Sequence, residues 1–322
     1  MKILKTIIGI TIAGILVLLI LWRWFPSSKE PGYRFVLAWG EQGDGPGEFN
    51  EPVGIAISGN KVFVSDTGNH RLQVFNLDGN FLLTFGLEGN KIGELARPMH
   101  MDIRNGKLYV AEYLNDRIQI FSLKGVPLGI IGSSGSGTGQ FDGPAGVAVD
   151  IKGRLYVADF FNHRVQFLRS DGKFIRQYGK TGKKGVRAGL FNYPTDVALL
   201  PDGGFVVADA YNDRIQVFGP EGSSIRKWGG PLAINIHGSA NGWFKTATAV
   251  TVGPAGNIFV SDFYNNRIQK FTSEGRFLVA IGTRDGGRGK LEHPTDVVLD
   301  NEGNLYVVDF GNHRIQKFAP VK

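Results

Sequence analysis

One phrase returns six times in this chain, and a repeat of that length leaves few folds open. It reads VFVSDTGNHRLQVF, LYVAEYLNDRIQIF, LYVADFFNHRVQFL, FVVADAYNDRIQVF, IFVSDFYNNRIQKF and LYVVDFGNHRIQKF. Its arginines are Arg71, Arg117, Arg164, Arg214, Arg267 and Arg314, spaced by 46, 47, 50, 53 and 47 residues. A period of roughly 45–50 residues holding several short strands is that of propeller blades, each of which buries its faces only against its neighbours.

Each unit reads as four strands. In the third, PAGVAVD (144–150) alternates apolar residues and is the inner strand. A turn at Lys152-Gly153 leads to RLYVAD (154–159), the loop FFN leads to HRVQFLR (163–169), and a turn at Asp171-Gly172 leads to FIRQYG (174–179). β-Branched and aromatic runs cut by Gly and Asp are the hairpin signal. The sixth unit stops after HRIQKF and has only APVK left, so its fourth strand is missing. FVLAWG (35–40), ahead of the first full unit, resembles FLLTFG (81–86) and FIRQYG. Pairing it with the last blade closes the ring and removes the open edge. The expected fold is all-β, a six-bladed propeller of four-stranded blades over residues 31–322.

The Asp-x-x-Asn-x-Arg signature inside the phrase, with Glu112 replacing the acid in unit two, resembles the NHL-repeat propellers over residues 35–318. That resemblance implies the six-bladed fold, but one fold hosts many functions. Relatives of this kind include sensor domains of bacterial receptor kinases, protein- and RNA-binding modules, and a metal-dependent lyase branch that amidates peptides.

The first 30 residues are different in kind. Thr6 to Phe25 reads TIIGITIAGILVLLILWRWF, with Arg23 its single charge. Twenty helical residues rise about 30 Å, the thickness of a hydrocarbon core. Arg23 lies between Trp22 and Trp24, where a snorkelling cation and interfacial indoles belong. A cleaved signal peptide needs a shorter apolar region and a small-x-small site, whereas LWRWFPSSKE comes next here. The expectation is a retained anchor within residues 1–30, with membrane contact through residues 6–25. Lys2 and Lys5 precede the span and Arg23, Lys29 and Arg34 follow it, so charge does not set the orientation. Anchors at the N-terminus usually export the rest of the chain, which places the propeller outside the cytoplasm, in a periplasm. The absence of cysteine closes the lipoprotein route and excludes disulfides, thiolate metal sites and a Cys nucleophile. Net charge is +7, of which the first 30 residues supply +3, so the body carries no strong argument for nucleic acid.

The repeated acid–arginine pairs, Asp66/Arg71, Asp159/Arg164, Asp209/Arg214, Asp262/Arg267 and Asp309/Arg314, occur in blade after blade. Catalysis needs one differentiated site, so these read as carboxylate–guanidinium staples across the loop joining strands two and three. His70, His163 and His313 share a slot with Asp116, Asp213 and Asn266, a polar turn position. The Gly-rich connections GEQGDGPGEF, GSSGSGTGQF and GTRDGGRGKL run into strands, not helices, so they are not phosphate loops.

His100, Asp196 and Asp296 fall in one slot of the inner strand on alternate blades, where Gly54, Gly146 and Ala249 stand in between. Three such groups around an axis are candidates for a divalent metal. The resemblance argues against it: the lyase branch carries its metal histidines one residue earlier, where this chain has Val53, Met99, Ala145, Thr195, Thr248 and Thr295. No other motif asks for a cofactor, and no catalytic set is assigned.

The binding signal lies on one face, where the loops between strands two and three and the blade-to-blade loops open together. Tyr113, Phe160, Phe161, Tyr211, Phe263, Tyr264 and Phe310 fill seven of the twelve positions following the repeated acids, against 11% aromatics overall. Exposed, they would ring the channel mouth and stack on peptide or sugar; otherwise they pack under neighbouring loops. Lys180, Lys183, Lys184 and Arg187 crowd the approach to blade four, and Arg284, Arg288 and Lys290 that to blade six, beside Asp285 and Glu292. Glu41, Asp44 and Glu48 make the approach to blade one acidic. The long connection 229–244 is a candidate lid over the mouth. The expected function is a membrane-tethered binding or scaffold module for a protein, peptide or glycan. The alternatives are a metal-dependent lyase or hydrolase and, were the domain cytoplasmic, an RNA-binding propeller.

Overall fold

The computed structural model describes residues 26–282 and 288–321. The expected span at residues 6–25, the loop charges Arg284 and Asp285, and Lys322 lie outside the described residues. Among the described residues no helix is long and apolar enough to cross a membrane.

Six four-stranded antiparallel sheets follow one another along the chain. The inner strands are Pro52–Ser58, Pro98–Arg104, Pro144–Val149, Pro194–Leu199, Ala247–Val252 and Pro294–Leu299. Blade three shows why this sequence folds so. Asp150 Oδ1 accepts the Lys152 N–H at 2.9 Å, and Gly153 takes a φ of 75°, so Asp and Gly turn the chain between the first two strands. The strands then alternate their allegiance. Leu155 and Val157 pack with Tyr109 and Ile118 of blade two, while Tyr156 packs with Val197 and Phe205 of blade four. A strand buried on both faces is apolar on both, as Leu155–Ala158 is within the second strand, Leu155–Asp159, which is buried throughout. The core is accordingly six clusters, one at each blade boundary.

The ring closes as the sequence implies. Tyr33–Trp39 pairs with Arg314–Pro320, Tyr33 opposite Pro320 and Trp39 opposite Ile315, and becomes the outer strand of blade six. Trp39 then packs on Tyr306 of its own blade and Phe75 of blade one, centroids 6.2 and 5.8 Å away. Each inner strand begins opposite the end of the second, as in Pro52 opposite Asp66 and Pro144 opposite Asp159. The start of every inner strand, the loop after the second strand and the incoming connection therefore meet on one face.

Candidate functional site

The repeated polar residues on that face hold it in shape. Arg164 Nε donates to Asp159 Oδ2 at 2.7 Å, and its other nitrogens reach the carbonyls of Ser136, Gly137 and Gln140 in the incoming loop. Asp159 Oδ1 accepts the Asp142 N–H at 2.8 Å, and Asn162 and Gln166 donate to the same carboxylate. The same carboxylate–arginine bond recurs at 2.6–2.7 Å for Asp66/Arg71, Asp209/Arg214, Asp262/Arg267 and Asp309/Arg314, with Glu112/Arg117 in blade two. Gln73, Gln119, Gln166, Gln216, Gln269 and Gln316 belong to these networks too. They stand two residues beyond each arginine, in a position the sequence reading passed over. Each guanidinium thus ties a blade-to-blade loop to the blade that follows it.

The slot shared by histidine, aspartate and asparagine ties one blade to the next. His70 Nδ1 accepts the Arg97 N–H at 3.1 Å, Asp116 Oδ1 that of Gly143 at 2.8 Å, and His163 Nδ1 that of Tyr193 at 3.2 Å. Asp213 accepts from Thr246, Asn266 from His293, and His313 from Glu51. The slot exchanges because all three side-chain types can accept a hydrogen bond. Every donor residue has positive φ, between 49° and 64°. Such a conformation is uncommon outside glycine, and the clamp holds the backbone in it just before the inner strand starts.

The aromatic side chains form two arcs, not one ring. Tyr113, Phe160, Phe161 and Tyr211 join across blades two to four, with Tyr113–Phe161 centroids 5.6 Å apart, Phe160–Phe161 5.0 Å and Phe160–Tyr211 6.0 Å. Tyr193, the residue clamped by His163, fills the middle, 4.7 Å from Phe160 and 5.0 Å from Tyr211. Phe263, Tyr264 and Phe310 make the second arc across blades five and six, and His293 stacks on Phe263 at 4.7 Å. Tyr193 and His293 were not foreseen, because they lie outside the repeated phrase; their place directly before Pro194 and Pro294 is the signal that finds them. Phe160 and Phe263 are half-buried beneath, while Phe161, Tyr211 and Tyr264 remain 43%, 52% and 52% exposed. Of the basic loop, Lys183 and Arg187 are exposed. Lys184 Nζ sits 4.3 Å from the Tyr193 ring centroid and donates to its hydroxyl at 2.9 Å.

The long connection 229–244 leans on blade four. Its Ala233 carbonyl accepts from Arg214 Nη1 at 3.0 Å, and none of its residues is among those lining the central cavity.

That cavity, about 190 Å³, is lined by the inner strands. His100, Asp196 and Asp296 meet there, buried, with one ligand atom from each all within 4.8 Å of one another. His100 Nδ1 lies 3.1 Å from Asp296 Oδ2. Burial works against an imidazolium at His100, and the carboxylates of Asp196 and Asp296 more than offset it, so its pKa is raised. Burial lifts Asp196 above the ordinary carboxylate range, Asp296 adds to this, and His100 opposes it. Two residues past His100, Asp102 accepts the N–H groups of Val149 and Ile103, both at 2.7 Å, and burial pushes it up to about 6.

Five segments, residues 49–75, 141–166, 191–218, 244–271 and 291–318, match the family described as NHL repeat. The unmatched blade is the second, which carries Glu112 in place of aspartate. The B-box type zinc finger protein ncl-1 of Caenorhabditis elegans is 40% identical over 62 residues, 18% of this chain and 7% of that protein. The chain therefore aligns with only a small part of that relative's length. Virginiamycin B lyase from Staphylococcus aureus, solved as a catalytically inactive variant with quinupristin, superposes with TM-score 0.58 at 16% identity over 84% of this chain and 95% of that one. XC5397 of Xanthomonas campestris, a gluconolactonase, does so with TM-score 0.64 at 12% identity over 92% and 99%. At these identities the likeness is one of fold.

Proposed function

The chain is a six-bladed β-propeller built from NHL repeats, and from that premise we propose that it is a membrane-tethered binding module. It holds a protein, peptide or glycan against the aromatic arcs of its loop face. The observation that carries this reading is the pairing of fixed and open rings. Phe160 and Tyr193 wedge together below, and Phe161 and Tyr211 stand on them with about half their surface free. Rings already held in place lose little freedom when a ligand stacks on them, so they bind at low entropic cost. Lys184 lies on the Tyr193 ring of that arc, with Lys183 and Arg187 exposed in the same loop, and these charges favour a partner with anionic groups on that side. The anchor at residues 6–25 and an extracytoplasmic propeller are part of this proposal and rest on the sequence of that segment.

The test is the combined variant Phe161→Ala/Tyr211→Ala/Tyr264→Ala in the full chain. These three side chains are about half exposed, so the variant should melt within a few degrees of the parent. Its cross-linked partner, isolated from membranes of the native cell, should be lost, while Lys152→Ala, in a turn on the opposite face, should retain it. A folded triple variant that captures the partner undiminished would refute the site. The lyase and the gluconolactonase lend their fold and not their chemistry, and an RNA partner would require the domain to face the cytoplasm.

A further inference from the structure

We propose that His100, Asp196 and Asp296 form a divalent-cation site on the propeller axis, taking an ion such as Zn²⁺ or Mn²⁺ that accepts imidazole and carboxylate together. The three side chains come from the same register of the inner strand on blades two, four and six, so the fold aims them at one point. Their ligand atoms all lie within 4.8 Å of one another. The 3.1 Å from His100 Nδ1 to Asp296 Oδ2 suits two donors that each sit about 2.1 Å from a shared ion.

The surroundings favour an ion over a simple ion pair. One imidazole can balance one carboxylate, yet two buried carboxylates face it, and the second buried charge has to be neutralised by a proton or a cation. A divalent ion with a neutral imidazole balances both. Backbone donors already orient the carboxylates. Ile55 N–H bonds Asp296 Oδ2 at 2.9 Å, Val297 N–H bonds its Oδ1 at 2.7 Å, and Val250 N–H bonds Asp196 Oδ2 at 3.0 Å. Such outer-shell bonds fix ligand geometry in metal sites.

The intervening blades supply the independent observation. They carry Gly54, Gly146 and Ala249 at this level, so no bulky side chain fills the axis there. A Cβ on Gly146 would lie 2.6 Å from Asp196 Oδ1 and 2.7 Å from the Thr195 carbonyl. The small residues let the inner strands close in on the triad. The cavity of about 190 Å³ leaves room for water in the remaining coordination positions.

The experiment strips the full-length chain, in detergent, with a chelator and titrates it with Zn²⁺ and with Mn²⁺. Bound metal is read by equilibrium dialysis and stability by thermal melting. The expected result is one ion per chain, a raised melting temperature, and tighter binding at pH 8 than at pH 6, because ligands must be deprotonated. Loss of an outer-shell group alone weakens metal binding about 10–100-fold, so His100→Ala should weaken it at least that much. Asp196→Asn preserves the side chain's shape and decides the matter should His100→Ala fail to fold. No ion retained at micromolar metal, or an ion held equally by His100→Ala or Asp196→Asn, would overturn the site.

Discussion

His163 Nδ1 accepts the backbone N–H of Tyr193 across the boundary between blades three and four, at 3.2 Å. The bond requires an unprotonated Nδ1. Burial and the nearby Lys184 both lower the pKa of His163 below the ordinary 6.5, so the folded state keeps the ring neutral. The unfolded chain takes up the proton first. Stability from this residue is therefore full above pH 6.5 and declines as pH falls below it toward the folded pKa. Asn266 performs the same task in blade five without titrating. Urea unfolding between pH 5 and 8 should show a slope for the parent that His163→Asn reduces. An unchanged slope would deny His163 this role.

The staples differ in depth, and their removal should differ likewise. Arg214 is completely buried and bonds Asp209, Val186, Ala233, Arg187 and Leu190, whereas the Arg314 side chain is 32% exposed. Leaving Asp209 buried without its partner should destabilise Arg214→Ala by about 3–5 kcal/mol. Arg314→Ala should lose clearly less, since water can reach what remains. Chemical denaturation of the two variants measures the contrast.

Ring closure rests on the strand Tyr33–Trp39. Without it Arg314–Pro320 becomes an open edge, Phe318 loses its contact with Phe35 at 6.2 Å, and Trp39 no longer bridges Phe75 and Tyr306. Deleting residues 33–39 should abolish the single cooperative unfolding transition and promote edge-to-edge association. Size-exclusion chromatography alongside urea unfolding reads both effects.

The architecture was legible because a period of 46–53 residues has few solutions and because FVLAWG matched the strand that the last unit lacks. The axis triad was legible too, since His100, Asp196 and Asp296 share a slot, although the slot alone could not say how near they come. What stayed hidden were bonds to main chain. The sequence marks His70, Asp116 and His163 as exchangeable turn residues, but their partners are backbone N–H groups of the next blade, which leave no side-chain trace. Tyr193 and His293 were missed for a related reason. Their place in the arcs comes from a left-handed backbone before proline, φ 52° and 50°; the recurring proline marks the position but not that conformation. The arcs themselves are uneven because blade one offers only Thr67 and Gly68 where other blades offer rings.

The proposed topology has its own readout. With a tag at Lys322, the propeller should resist protease in intact cells and become cleavable once only the outer permeability barrier is opened. Cleavage that appears only after full lysis would place the domain in the cytoplasm and bring RNA forward as the partner to test.

The most direct test of the binding face is a photo-cross-linking residue placed, one position at a time, at Tyr211, at Tyr264 and at Lys152 of the full chain in its native membrane. The first two positions lie on the aromatic arcs and the third on the opposite face. Adducts of one size from Tyr211 and Tyr264, and none from Lys152, are the predicted result. Adducts from Lys152 alone would contradict the assignment of function to the loop face.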